Sequence, residues 1–204
     1  MVLKPVPGFR SRRFVMRDYP GESQVSELAD RLGWERLGEL QAEPELMRPR
    51  RVMWQVCPGV VCNFMQNEEL QVSYAVMMSE HHPEISHRMS QIIEGGLDVC
   101  TDGDLLDAVT SASGPGEKAK ALVQAGIGAP GSPDNRFSRL FIDAVREDSR
   151  EVREHGVLAI GYAEWAPFRE LLNAISQQDS DARVRRLARL TMEAFDVAGI
   201  GDRE

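Results

Sequence analysis

Apolar residues along the first hundred positions change spacing twice. Val25, Leu28, Ala29 and Leu32 recur at helical intervals with Gly33 behind them, which predicts a helix over residues 22 to 32 ending on glycine. After Pro44 and Pro49 the interval becomes two. Val52, Trp54 and Val56 alternate with polar residues, as do Val60, Cys62 and Phe64, then Leu70, Val72, Tyr74 and Val76. Pro58-Gly59 and Asn67-Glu68-Glu69 punctuate the runs, so a three-stranded antiparallel meander is expected, with one apolar face that must be covered. Helical spacing returns with Ile85, Met89, Ile92 and Ile93. This predicts a helix over residues 83 to 94, started by Pro83, closed by Gly95-Gly96, and suited to cover that face.

The second half carries a pattern that occurs three times: Leu105-Leu106-Asp107-Ala108-Val109, Phe141-Ile142-Asp143-Ala144-Val145 and Leu171-Leu172-Asn173-Ala174-Ile175. A turn-forming stretch and a second helical segment follow each copy, so the repeating unit is a helix pair. Helix pairs stack, bury a continuous core between neighbours and leave a long face free, which favours a binding surface over a catalytic pocket. Two of the second helices open with Asp148-Ser149 and Asp179-Ser180-Asp181, side chains that accept orphan backbone N–H groups. Val152, Gly156, Ala159 and Ile160 then share one stripe, as do Val184, Leu187, Ala188 and Thr191, and their small residues permit close helix approach.

An acid opening the second helix, a Val-Arg pair at Val152-Arg153 and Val184-Arg185, and alanine and leucine behind it resemble the HEAT-repeat family over residues 102 to 196. In the first unit Ser113-Gly114-Pro115-Gly116-Glu117-Lys118 replaces that signature, and the copies stand 36 positions (Leu105 to Phe141) and 30 positions (Phe141 to Leu171) apart. The resemblance implies a macromolecule bound along the second helices. Its expected contacts are Glu151, Glu154, His155, Arg183, Arg186 and Arg189, with Trp165 at a repeat junction as an anchor or as packing between helices. Arg153 and Arg185 match the family's internal ladder position. The expected architecture is therefore α+β: an N-terminal three-stranded antiparallel sheet with helices, then a short HEAT-like stack. A basic irregular arm covers 1–20, a small α+β module 21–100 and the repeats 101–204.

The chain has 204 residues and a net charge of −8. The charge is uneven, since Lys4, Arg10, Arg12, Arg13 and Arg17 face only Asp18 within the first twenty positions. An acidic body argues against broad nucleic-acid binding and suits a basic partner. No apolar run reaches the roughly 18 residues of a membrane span, and no apolar core follows the N-terminal arginines as in a signal peptide. Three cysteines, an odd number, suit a reducing compartment, so a soluble cytoplasmic protein is expected. Only Lys4, Lys118 and Lys120 of the 24 basic residues are lysines, a bias common in GC-rich bacterial genomes.

Candidate chemistry is sparse. His81, His82 and His87 lie beside Glu80 and Glu84, all metal-ligand types, yet the spacing is not that of His-Glu-x-x-His; the segment reads as a helix start, with no metal expected. Cys57 and Cys62 flank Pro58-Gly59 without CxxC spacing, and Cys62 belongs to the apolar strand face. GxSxG, P-loop and strand-linked GxGxxG motifs are absent, so no cofactor is expected. The leading expectation is a non-enzymatic interaction protein with a protein partner: an adaptor, an assembly factor or an immunity-type inhibitor. Two alternatives stand beside it. One is a HEAT-like DNA glycosylase using Arg183, Arg185, Arg186 and Arg189, and the other is a small-ligand or metal site in the N-terminal half.

Overall fold

The computed structural model describes residues 9–43, 48–79 and 83–201, without the side chains at positions 83 and 85–87. Among the described residues the fold is α+β, with six strands and eight helices. The chain divides into two compact units, Met1–Cys100 and Thr101–Glu204.

In the first unit β1 (Phe9–Arg10), β2 (Phe14–Val15), β3 (Glu35–Leu40), β4 (Arg50–Cys57), β5 (Val60–Asn67) and β6 (Val72–Ser79) form one antiparallel sheet ordered β1-β6-β5-β4-β3. β2 joins the outer edge of β6 beside β1 through Phe14 opposite Ala75 and Val15 opposite Tyr74. The sheet is thus larger than the expected meander, which corresponds to β4, β5 and β6. Two corrections follow. Part of the segment expected as an irregular arm pairs with β6 and buries Phe14, Val15 and Met16. The added edge strand β3 escaped the alternation rule because a bulge at Gly38, where φ is +148°, breaks its register and Leu37 and Leu40 stay exposed.

α1 (Glu22–Leu32) lies where the periodicity placed it, and Gly33 ends it at φ +71°. α2 (Pro83–Gly96) runs through the two glycines expected to stop it. Val25, Leu28, Ala29, Ile93 and Leu97 pack with Trp34, Val52, Trp54, Cys62, Phe64, Ala75 and Met77 in one core. Burial drives this assembly, each large side chain contributing roughly 2 kcal/mol. It also pushes the Cys62 thiol up to about 12, so that sulfur is a small core group. The expected alternation put Tyr74 and Val76 on the covered face; instead Ala75 and Met77 face this core, and Tyr74 and Val76 are buried on the other side of the sheet with Met53, Asn63 and Met65. Arg50 ties the unit together by donating to Glu22 (2.6 Å), Glu39 (2.7 Å) and Gln66 (2.9 Å).

The second unit consists of three successive helix pairs: α3 (Asp102–Ser111) with α4 (Pro115–Gly128), α5 (Asn135–Ala144) with α6 (Arg150–Ala163), and α7 (Arg169–Gln178) with α8 (Ala182–Ala198). Caps set their starts. Thr101 and Asp104 form a reciprocal capping box on α3, Asp134 caps α5, Ser149 caps α6 and Asp181 caps α8. Asp179 accepts from the Asp181 backbone N–H at 2.8 Å beside the start of α8 and from Arg153 at 2.9 Å, joining two pairs; the carboxylate holds the guanidinium in its charged form. Arg185 donates to the Asp179 carbonyl oxygen.

The second helices approach closely. A Cβ on Gly126 would stand 2.4 Å from the Ala159 Cα, and one on Gly156 2.9 Å from the Val145 side chain. Glycine at these places is what allows α4 to lie against α6 and α6 against the end of α5. The three copies of the five-residue pattern are not equivalent in burial. Leu105 and Phe141 are buried where their pattern begins, whereas in the third copy the second residue, Leu172, takes that role after the short 3-10 turn Ala166–Phe168.

Candidate functional site

A concave feature of the helical unit lies among the first helices. α3 contributes Leu106, Val109 and Thr110, with Ala112 just past its end. α5 contributes Arg136, Arg139, Leu140, Asp143 and Ala144 across from them, and Lys118 stands near the start of α4. These side chains enclose an open groove of about 550 Å³, within the usual range of ligand pockets.

Each wall follows from helical spacing. Leu106 and Val109 are three apart, and Leu140 and Ala144 four apart, so each pair lies on one flank of its helix, with Val109 and Ala144 buried at the floor of the groove. Leu106 and Leu140 are only half-buried, although the buried Leu105 and Phe141 beside them face the core. The Thr110 hydroxyl donates back to the Leu106 and Asp107 carbonyls at 3.2 and 3.1 Å.

Charges on the rim fall into two classes. Lys118 pairs with Glu147, and Arg136 bridges Asp134 (3.0 Å) and Asp102 (3.3 Å). The Arg136 guanidinium holds the Asp134 carboxyl below its ordinary value, with the backbone N–H groups of Arg136 and Phe137 adding to the effect at the α5 start. Arg139 and Asp143 differ: among the described residues neither makes an ion pair or a side-chain hydrogen bond, and both are exposed. They stand one helical turn apart with the cation first, the weaker order for pairing along a helix.

The residues expected to make contacts lie along the second helices and their junctions. Glu151 is exposed on α6, Glu154 faces Arg150 at 3.8 Å, and the His155 ring shares a 2.8 Å hydrogen bond with the Glu151 carbonyl. On α8, Arg183 and Arg186 are exposed, and Arg189 donates to the Ser176 carbonyl at 3.3 Å. Trp165 is no exposed anchor. It is 3% accessible, stacks on Phe168 at 5.7 Å, and donates from its indole nitrogen to the Pro130 carbonyl at 3.0 Å. The ring finds both apolar cover and a hydrogen-bond partner at the repeat junction, the second of the two roles weighed for it.

His81 and His82 lie outside the described residues, and His87 falls within α2 with its side chain outside that description. Among the described residues no group of three or more His, Cys, Asp or Glu side chains is arranged to hold a metal. No helix of the described residues is long and apolar enough to cross a membrane. No known protein family, curated protein or solved structure matches the chain.

Proposed function

We propose that this is a non-enzymatic protein-binding module, and that a segment of its protein partner docks in the groove between α3 and α5. The observation that carries this reading is an apolar trough bordered by a cation and an anion, Arg139 and Asp143, that no other side chain of the described residues engages. Such a border matches a docking segment with apolar side chains and charges of both signs. The three helix pairs, read as a short HEAT-like stack, supply a rigid frame for it. A chain of net charge −8 favours encounter with a partner that is basic as a whole. The three free cysteines suit a cytoplasmic setting.

Affinity capture from native lysate with three baits tests the reading: wild type, Leu106→Asp in the groove, and the pair Glu154→Lys with Arg186→Glu on the second helices. The expected result is one protein held by wild type and by the second-helix variant and lost by Leu106→Asp. Loss with the second-helix variant and retention by Leu106→Asp would move the binding surface to α6 and α8.

A further inference from the structure

We infer that the groove between α3 and α5 receives an amphipathic α-helix of the partner, with an acidic and a basic side chain one turn apart beside its apolar stripe. This rests on the reading of the groove as a protein-docking site and specifies the occupant's conformation and charge pattern.

The argument begins with the unequal spacing of the helices. Gly126 lets α4 lie on α6 so closely that a single methyl group would collide with the Ala159 backbone, while α3 and α5 leave about 550 Å³ between them. A wedge that closes on one layer and opens on the other offers two helix flanks as walls. Each wall helix has ten residues, hence a length of about 15 Å, or nearly three turns. Leu106 and Leu140, half-buried on facing helices, are the apolar side chains a docked helix would cover, with the buried Val109 and Ala144 as the floor between them. Apolar residues at i, i+3 or i+4, and i+7 of a docked helix would fill the trough, the helix-in-groove mode of peptide recognition.

Charge complementarity selects the helix further. Arg139 and Asp143 are four residues apart and so project from the same flank of α5, about one turn from each other. A docked helix carrying an acid and a base at the same four-residue interval meets both at once. The other cations of the rim are already neutralised, Lys118 by Glu147 and Arg136 by Asp102 and Asp134. A simple apolar carboxylate would gain Arg139 but meet Asp143, so a ligand with both signs is the better match.

The test pans an unbiased phage-displayed library of peptides about 16 residues long, enough to sustain a helix, on the intact chain and on two variants. These are Arg139→Asp with Asp143→Arg, and Leu106→Asp, each checked for native circular dichroism. On wild type, enriched peptides should share a helical apolar stripe and an acid and base four apart in a fixed order. On the charge-swapped variant the order should reverse, and a synthetic wild-type binder should lose roughly tenfold in affinity, as expected for two surface pairs. Enriched peptides that are extended or proline-rich, or that keep one charge order on both proteins, would overturn the helix while leaving the groove reading intact if Leu106→Asp still abolishes binding. Binders indifferent to Leu106→Asp would remove the groove reading and this inference with it. Failure of any peptide to enrich would count against the inference, and displacement of a bound peptide by decanoate in preference to a charge-matched competitor peptide would assign the trough to a small apolar acid instead.

Discussion

Between α4 and α6 a Cβ on Gly126 would stand 2.4 Å from the Ala159 Cα, whereas between α3 and α5 the same unit leaves a groove of about 550 Å³. Both layers belong to the same helix pairs, yet one is packed to backbone contact and the other is open. The tight layer buries Ala121, Leu122, Ala125, Val157 and Ala159 and satisfies Arg153 on Asp179. The open layer keeps Leu106 and Leu140 half-exposed and leaves Arg139 and Asp143 without partners among the described residues. Close packing and open surface thus fall on different helices, and under the proposed function the second helices serve stability while α3 and α5 serve recognition.

Substitutions should separate the two layers by the size of their effects. The largest is expected for Gly126→Val, whose side chain must push α4 away from α6. A loss of about 3 kcal/mol or more in urea-induced unfolding is predicted, and a loss below about 1 kcal/mol would mean that the layers are not so different. Arg153→Ala comes next. The Arg153 and Asp179 side chains are only 12% and 7% accessible, so removing the guanidinium strands a carboxylate, and about 2 kcal/mol should be lost. Adding Asp179→Asn should restore part of it.

At the border of the open layer, Asp134→Ala removes the α5 cap and should cost about 1 kcal/mol. This effect has a pH signature. Because the folded Asp134 carboxyl sits below its ordinary value, its contribution is fully present above the unfolded value and fades as pH falls through the lowered folded one. Unfolding followed from neutral pH into the acid range should show wild type and Asp134→Asn converging, and curves that stay parallel would exclude the carboxylate as the source. The smallest stability change belongs to the groove itself. Arg139→Asp with Asp143→Arg should alter unfolding by less than about 0.5 kcal/mol while changing what is bound. A large destabilisation there would erase the distinction between the layers.

Most of this architecture was legible in the spacing of apolar residues. The positions of β4 to β6, α1, α2 and the succession of helices in the second half follow the two and three-to-four residue intervals; the face of β6 does not, because β6 is buried on both sides and turns Ala75 and Met77, not Tyr74 and Val76, to the helix-covered core. What was not legible has physical causes. β1 and β2 are two-residue pairings among prolines, too short to show a period, and β3 is an edge strand whose bulge at Gly38 disrupts alternation. The groove was hidden inside the repeated pattern itself. Leu106 is one of the two large apolar residues that open the pattern, yet a helix face that buries Leu105 and Val109 cannot also bury everything beside it. The available signal was Arg139 and Asp143 flanking Leu140 on α5, charges at helical spacing next to an apolar residue outside the main stripe. Attention to the second helices followed from the resemblance to HEAT repeats, which drew the expected contacts to Glu151, Glu154, His155, Arg183, Arg186 and Arg189, and to Trp165, which is buried.

Site-specific photocrosslinking in living cells tests the central claim most directly. A benzophenone amino acid replaces Thr110 in the groove of one version of the chain and Arg186 on α8 of another, both exposed positions. Docking in the groove predicts one discrete protein adduct from position 110, lost when Leu106→Asp is added, and none from position 186. An adduct formed from position 186 but absent from position 110 would contradict it.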